Sequence, residues 1–155
     1  MSIPVSTVPA ALSGLQTLIA AQVATDPNAG QIVLCLGEPG MDLPNDVIQI
    51  GTYVRRSVRP QTFMGSFQAQ ALEEDYDIDC VVSSWSGDAD PVAIVNRAYQ
   101  LVAYIETAVR TDPTLGNAVL EAYPSGTTGG NPEWSGDPVG RLVEITVSIH
   151  VTTLN

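Results

Sequence analysis

The stretch from Val139 to Leu154 restricts the possible folds more than any other part of the chain. Its odd positions are Val139, Arg141, Val143, Ile145, Val147, Ile149 and Val151, and its even ones include Glu144, Thr146, Ser148, His150 and Thr152. Period-two alternation with a β-branched inner face predicts a strand half buried against one side of a sheet. An ordinary strand runs about five or six residues, and this one would run about twice that. Part of it is therefore expected to extend past its own sheet, its far end a candidate edge for pairing with another subunit.

Two helices are predicted ahead of it. Val8, Ala11, Leu12, Leu15, Leu18, Ile19, Gln22 and Val23 recur at three-and-four spacing, so residues 7–25 read as an amphipathic helix. Pro9 is tolerated in a first turn, whereas Gly14 should cost about 1 kcal/mol relative to Ala. Asp26-Pro27 stops the helix, because a residue before proline avoids the helical region. The second helix opens at Asp90-Pro91, an N-cap followed by a proline at the first helical position. Ile94, Ala98, Leu101, Val102, Ile105 and Val109 form its apolar stripe, Glu106 and Arg110 are spaced as an i,i+4 pair, and Asp112-Pro113 ends it. The segments match at an offset of 86. Thr25-Asp26-Pro27 and Gly30 correspond to Thr111-Asp112-Pro113 and Gly116, and Val33-Leu34 to Val119-Leu120. Each reads as a helix, a proline-stopped turn and a returning strand, whether by duplication or by shared turn chemistry. Both helices should lie on one face of one sheet.

Further strands are expected at Gln31–Leu36, Asp46–Val54, Leu72–Val82 and from Ala118. In Leu72–Val82, Leu72, Tyr76, Ile78, Cys80 and Val82 share one parity, and Glu73, Asp75, Asp77 and Asp79 the other. Residues 38–72 are read as an arm or loop insertion between strands, and within it residues 55–71, containing Arg55, Arg56, Arg59, Phe63 and Phe67, are either a long hairpin arm or a mobile loop. Residues 123–138, rich in Gly, Pro and Ser, are read as a flexible loop.

At 155 residues, 45% hydrophobic and 15% charged, the chain reads as one globular domain with a sizeable core. No apolar run approaches the roughly 20 residues of a membrane span, and Met1-Ser2-Ile3-Pro4 lacks the features of a signal peptide. Cys35 and Cys80 each sit in a strand-like run and are expected as buried free thiols. The net charge is −11, with six arginines and no lysine. Such a surface repels nucleic acid, since phosphate binding depends on a density of Lys and Arg.

No catalytic or cofactor-binding constellation is found. Asp75, Asp77 and Asp79 match the first ligand positions of a calcium loop, but Cys80 stands where Gly is required and Ser86 where Glu is required. A lone His150 cannot supply a zinc site. Ser84, Ser86 and Ser135 lack the context of a nucleophile elbow, and residues 126–130 are not a phosphate loop. No metal ligand set is assigned. What remains is an acidic sheet face of Glu73, Asp75, Asp77 and Asp79, which is solvated, lines a channel, or is compensated by Arg55, Arg56 and Arg59 from a neighbouring strand or subunit. Trp134, in a Gly-rich loop, either tucks onto its own domain or anchors a partner.

Glu74–Asp88, Arg97-Ala-Tyr-Gln-Leu-Val-Ala-Tyr-Ile-Glu, Arg110-Thr-Asp-Pro-Thr-Leu-Gly and a closing alternating strand follow one another in an order that resembles tail terminator proteins of long-tailed (siphovirus-type) bacteriophages, especially those of actinobacterial hosts. The likeness covers roughly residues 72–153 and is one of pattern and order. It implies an α+β subunit with two helices against a mainly antiparallel sheet. It also implies a virion protein without enzymatic activity or cofactor, assembled in the host bacterial cytoplasm. Six copies would form a ring at the head-proximal end of the tail, contacting the tail tube protein and a head-completion or connector protein. DNA would pass through the lumen without specific binding, and no membrane is involved. Arg55, Arg56, Arg59, Phe63, Phe67 and Trp134 are then candidate interface residues, and Glu73, Asp75, Asp77 and Asp79 candidate lumen residues. Another head–tail connector or a tube subunit is the alternative within the virion. A small-molecule-binding or enzymatic α+β domain is the alternative outside it.

Overall fold

A computed structural model describes residues 5–40, 45–60, 72–87, 90–134 and 140–154. The fold is α+β. Among the described residues it contains helices α1 (Val8–Val23) and α2 (Pro91–Thr111) and strands β1 (Ile32–Leu36), β2 (Asp46–Pro60), β3 (Leu72–Ser86), β4 (Glu121–Gly129), β5 (Glu133–Trp134) and β6 (Arg141–Leu154). The strands form one sheet in the order β1-β2-β3-β6-β4, with β5 continuing beside β6. β1 and β2 run parallel, and the other pairings are antiparallel.

The alternation of the last strand governs its burial. Val143, Ile145, Val147, Ile149 and Val151 are buried, each contributing roughly 2 kcal/mol of apolar burial. Its place in the sheet corrects one expectation. β6 offers no free edge, because β3 pairs with it from Leu154 back to Arg141 while β4 and β5 line its other side. Its length is taken up by matching β3, itself fifteen residues long.

Both helices pack on one face of the sheet. Ala11, Leu15, Ile19 and Val23 of α1 and Ile94, Ala98, Leu101, Val102, Ile105, Ala108 and Val109 of α2 meet Ile78, Cys80, Val82 and the inward side of β6 in one core. Asp90 caps α2 by accepting from the backbone N–H groups of Val92 and Ala93. Glu106 and Arg110 do not close to an ion pair among the described residues. Gly14, which helix propensity alone would disfavour, has a packing reason: a Cβ there would lie 2.0 Å from the carbonyl oxygen of Leu115. Gly51 has a conformational one. It adopts φ +70° where the β2–β3 register shifts between Ile50 and Tyr53, against Leu12 of α1.

Other boundaries move. The strand expected from Ala118 begins at Glu121, because Leu115, Gly116 and Asn117 all take left-handed φ and lengthen the turn after α2. The stretch 123–138 is not loop throughout: Tyr123–Gly129 belongs to β4 and Glu133–Trp134 to β5, their backbones paired to β6. Within 38–72, β2 occupies Asp46–Pro60, so Arg55–Pro60 is strand and residues 55–60 form one side of a hairpin arm with β3. Residues 61–71, with Phe63 and Phe67, lie outside the described residues, as do 41–44, 88–89 and 135–139. Both cysteines are free thiols. Cys80 is buried and its thiol pushed up to about 12 by that burial, whereas Cys35 is only partly buried.

Candidate functional site on the helix-free face

The helices cover one side of the sheet, so the opposite parity of each strand forms the second side. On β3 that parity is Glu73, Asp75, Asp77 and Asp79, successive carboxylates about 7 Å apart. An extended strand displays them along a line and cannot wrap them around an ion. Among the described residues no group of three His, Cys, Asp or Glu side chains can hold a metal.

Antiparallel pairing places a polar side chain of β6 directly opposite each aspartate. Ser148 donates its hydroxyl to Asp79 at 2.7 Å, His150 Nδ1 lies 2.8 Å from Asp77, and the Thr152 hydroxyl donates to Asp75 at 2.8 Å. His150 Nε2 is also 3.4 Å from Asp75, so the imidazole sits between two carboxylates, with the Tyr123 ring centroid 5.4 Å away. On the other flank, β2 sets Tyr53, Arg55, Ser57 and Arg59 opposite Asp79, Asp77, Asp75 and Glu73. Arg59 and Glu73 form an ion pair at 2.5 Å, both exposed to some degree. Arg55 makes no ion pair among the described residues. With Glu121 of β4, Glu133 of β5 and Glu144 of β6 on the same parity, the face carries, among the described residues, seven carboxylates against two guanidinium groups and one imidazole.

Arg56 belongs to the other side. Its Nε donates to Glu74 Oε2 at 2.6 Å, and Glu74 is fully buried at the start of α1. The same carboxylate accepts from the Ser6 hydroxyl and the Thr7 backbone N–H, while the Thr7 and Tyr76 hydroxyls share a hydrogen bond. Burial alone would raise the Glu74 carboxyl; the bonds from Ser6, Thr7 and Arg56 outweigh it and hold the group below its ordinary range. A negative charge at a helix N-terminus is also favoured by the helix dipole. Arg56 is thus occupied in fixing α1 to β3, unlike Arg55 and Arg59. The signal was present in the sequence, since Glu74 shares the parity of Tyr76 and Ile78.

A second polar cluster had no signature in the sequence. Arg97 of α2 donates to Asp26 at 2.7 Å through Nη1 and to Asp46 at 2.9 Å through Nε. The Tyr104 hydroxyl donates to Asp26 at 2.6 Å, and the Ser84 hydroxyl to Asp46 at 2.7 Å. The Arg97 bond holds the buried Asp26 carboxyl far below its usual value against the opposing effect of burial. Beside this cluster opens a cavity of about 670 Å³, bordered by Asp46, Ser84, Trp85, Asp90, Ile94 and Arg97. Of the charged groups on its border, Asp46 and Arg97 are paired with each other and Asp90 is engaged in capping α2.

Of the remaining interface candidates, Trp134 has its backbone in β5 opposite Arg141, and its side chain lies outside what is described. Among the described residues, no helix is long and apolar enough to cross a membrane.

No protein-family model matches the chain, and no curated protein matches it. Among solved structures, one similar chain comes from the virion of a native gene transfer agent particle. The match covers 91% of this chain and 97% of that one, at 11% identity and a TM-score of 0.34. A superposition that loose does not establish a shared fold.

Proposed function

We propose that the chain is a non-enzymatic structural protein of a long-tailed phage-type virion: the subunit of a ring, hexameric by the resemblance stated above, that closes the head-proximal end of the tail tube. The observation that carries this reading is the helix-free face. A sheet side with seven carboxylates and few compensating cations is a poor surface for nucleic acid to adhere to and a good wall for a channel through which DNA passes. Helices on the other side would form the outer layer. In this role the ring stops tube polymerisation and presents a surface to a head-completion protein.

The reading is tested by native mass spectrometry of the purified chain and by micrographs of particles lacking it. A hexamer, together with overlong tails on deletion, is the expected result. Tailless heads would favour the second reading, a head–tail connector. A monomer at high concentration, with normal tails on deletion, would overturn both.

A further inference from the structure

The ring reading leaves open how copies meet, and the sheet's two free edges supply an answer that rests on that reading. β1 pairs with β2 only from Asp46 to Ile50, so beyond Ile50 the outer side of β2 has no strand partner among the described residues. Residues 55–60 there are all exposed and carry Arg55, Arg56 and Arg59, half of the chain's cations. At the opposite edge, β4 pairs among the described residues with β6 alone and exposes Glu121, Tyr123 and Ser125–Gly129. Exposed strand edges are templates for pairing with another chain.

Direction and charge select the pairing. β2 and β4 run in opposite senses in the sheet, since three antiparallel steps separate them. A neighbouring copy placed alongside by rotation about an axis along the strands therefore sets its β2 antiparallel to this copy's β4. Joining unlike edges is a heterologous contact of the kind that closes into a ring, whereas β2 against β2 would oppose arginines to arginines. The rows across the sheet give the register. One row reads Arg55, Asp77, His150, Tyr123 and the next Ser57, Asp75, Thr152, Glu121.

We propose that copies of this chain join edge to edge, β4 of one antiparallel to the free part of β2 of the next. Continuing each row across the junction puts Tyr123 beside Arg55 and Glu121 beside Ser57, diagonal to both Arg55 and Arg59. The Tyr123 ring, about half exposed in the single subunit, gains a guanidinium across its face. Glu121, which makes no ion pair among the described residues, gains two cations. The acidic face then runs unbroken from copy to copy.

The test is a charge exchange read by native mass spectrometry. Glu121→Arg and Arg55→Glu should each raise the concentration at which rings form by roughly tenfold or more, and the double exchange should recover rings. Circular dichroism melts establish that each variant is folded. Independently, a chain carrying both Arg55→Cys and Tyr123→Cys should give a ladder of covalent oligomers on mild oxidation, whereas neither single variant should. Rings unaffected by either reversal, together with no ladder, would overturn the edge pairing and leave the ring reading standing. A wild-type chain that forms no ring would overturn the ring reading itself.

Discussion

The two helix-to-strand turns, 86 residues apart, use the same chemistry locally and are secured by opposite means. In the first, Asp26 Oδ1 accepts the Asn28 backbone N–H; in the second, Asp112 Oδ1 accepts that of Thr114, with Gly116 N–H on Oδ2. Both aspartates close a turn on the residue two positions on, as the shared Asp-Pro spacing requires. Beyond that they diverge. The first turn is held to α2 by charge, through Arg97 and Tyr104 on the buried Asp26 carboxylate. The second is held to α1 by close packing, with Leu115 fully buried and its carbonyl against Gly14. Each turn is gripped by the other unit's helix, one through a salt bridge and one through the lack of a side chain. A repeated motif fixes a turn's first hydrogen bond but neither its later course, a 3-10 turn at Ala29–Gln31 in one and left-handed Leu115, Gly116 and Asn117 in the other, nor what the turn is worth to the fold.

The contrast can be broken most severely at Asp26. Asp26→Ala leaves Arg97 with Asp46 as its remaining carboxylate and should lower stability by about 3 kcal/mol, a fall of about 10 °C in Tm. Its pH dependence has a definite sign. A carboxyl depressed in the folded state stabilises above its unfolded pKa, about 4, and that contribution fades as pH falls through the lower folded value. Denaturant titrations of Asp26→Asn should therefore start less stable at neutral pH and lose less than wild type on acidification below about 4. A variant whose acid slope equals that of wild type would remove Asp26 from the linkage.

Next in size is Gly14→Ala. On an exposed helix this exchange gains about 1 kcal/mol; here the added Cβ meets backbone, and a loss of about 2 kcal/mol is expected in chemical denaturation. A gain would show that the α1–turn contact is looser than described. Smallest is Asp112→Asn, the counterpart of the first exchange at an open site, where an amide oxygen can keep the turn. Its melting midpoint should stay close to wild type, and a loss matching that of Asp26→Asn would erase the distinction between the turns.

The elements were legible where burial follows a period. The stripes of both helices, the inward parity of β3 and β6, and the acidic parity of β3 all follow from spacing alone. Tertiary pairing was less accessible. The length of β6 read as surplus because nothing local shows that β3 matches it residue for residue. Gly, Ser and Pro between 123 and 129 masked a strand whose stability comes from bonding to β6 and not from its own propensity. The Asp26–Arg97–Asp46 knot spans separations of 71 and 51 residues, beyond the reach of any short-range pattern. Arg55, Arg56 and Arg59 lay in one run, yet a single step of parity sends Arg56 to the far side of the sheet.

The position of β6 also sets an order of events. It is the last of these strands along the sequence, yet it lies fourth of five in the order counted from β1, with β3 on one flank and β4 on the other. Before it docks, β3 has one open side and β4 has no companion at all, so closure of the hydrophobic interior waits on contacts between residues some seventy positions apart. Late insertion of a central stave makes for slow, all-or-none folding, and it leaves the half-built sheet exposed to the same edge-to-edge association that the finished subunit would use in its ring.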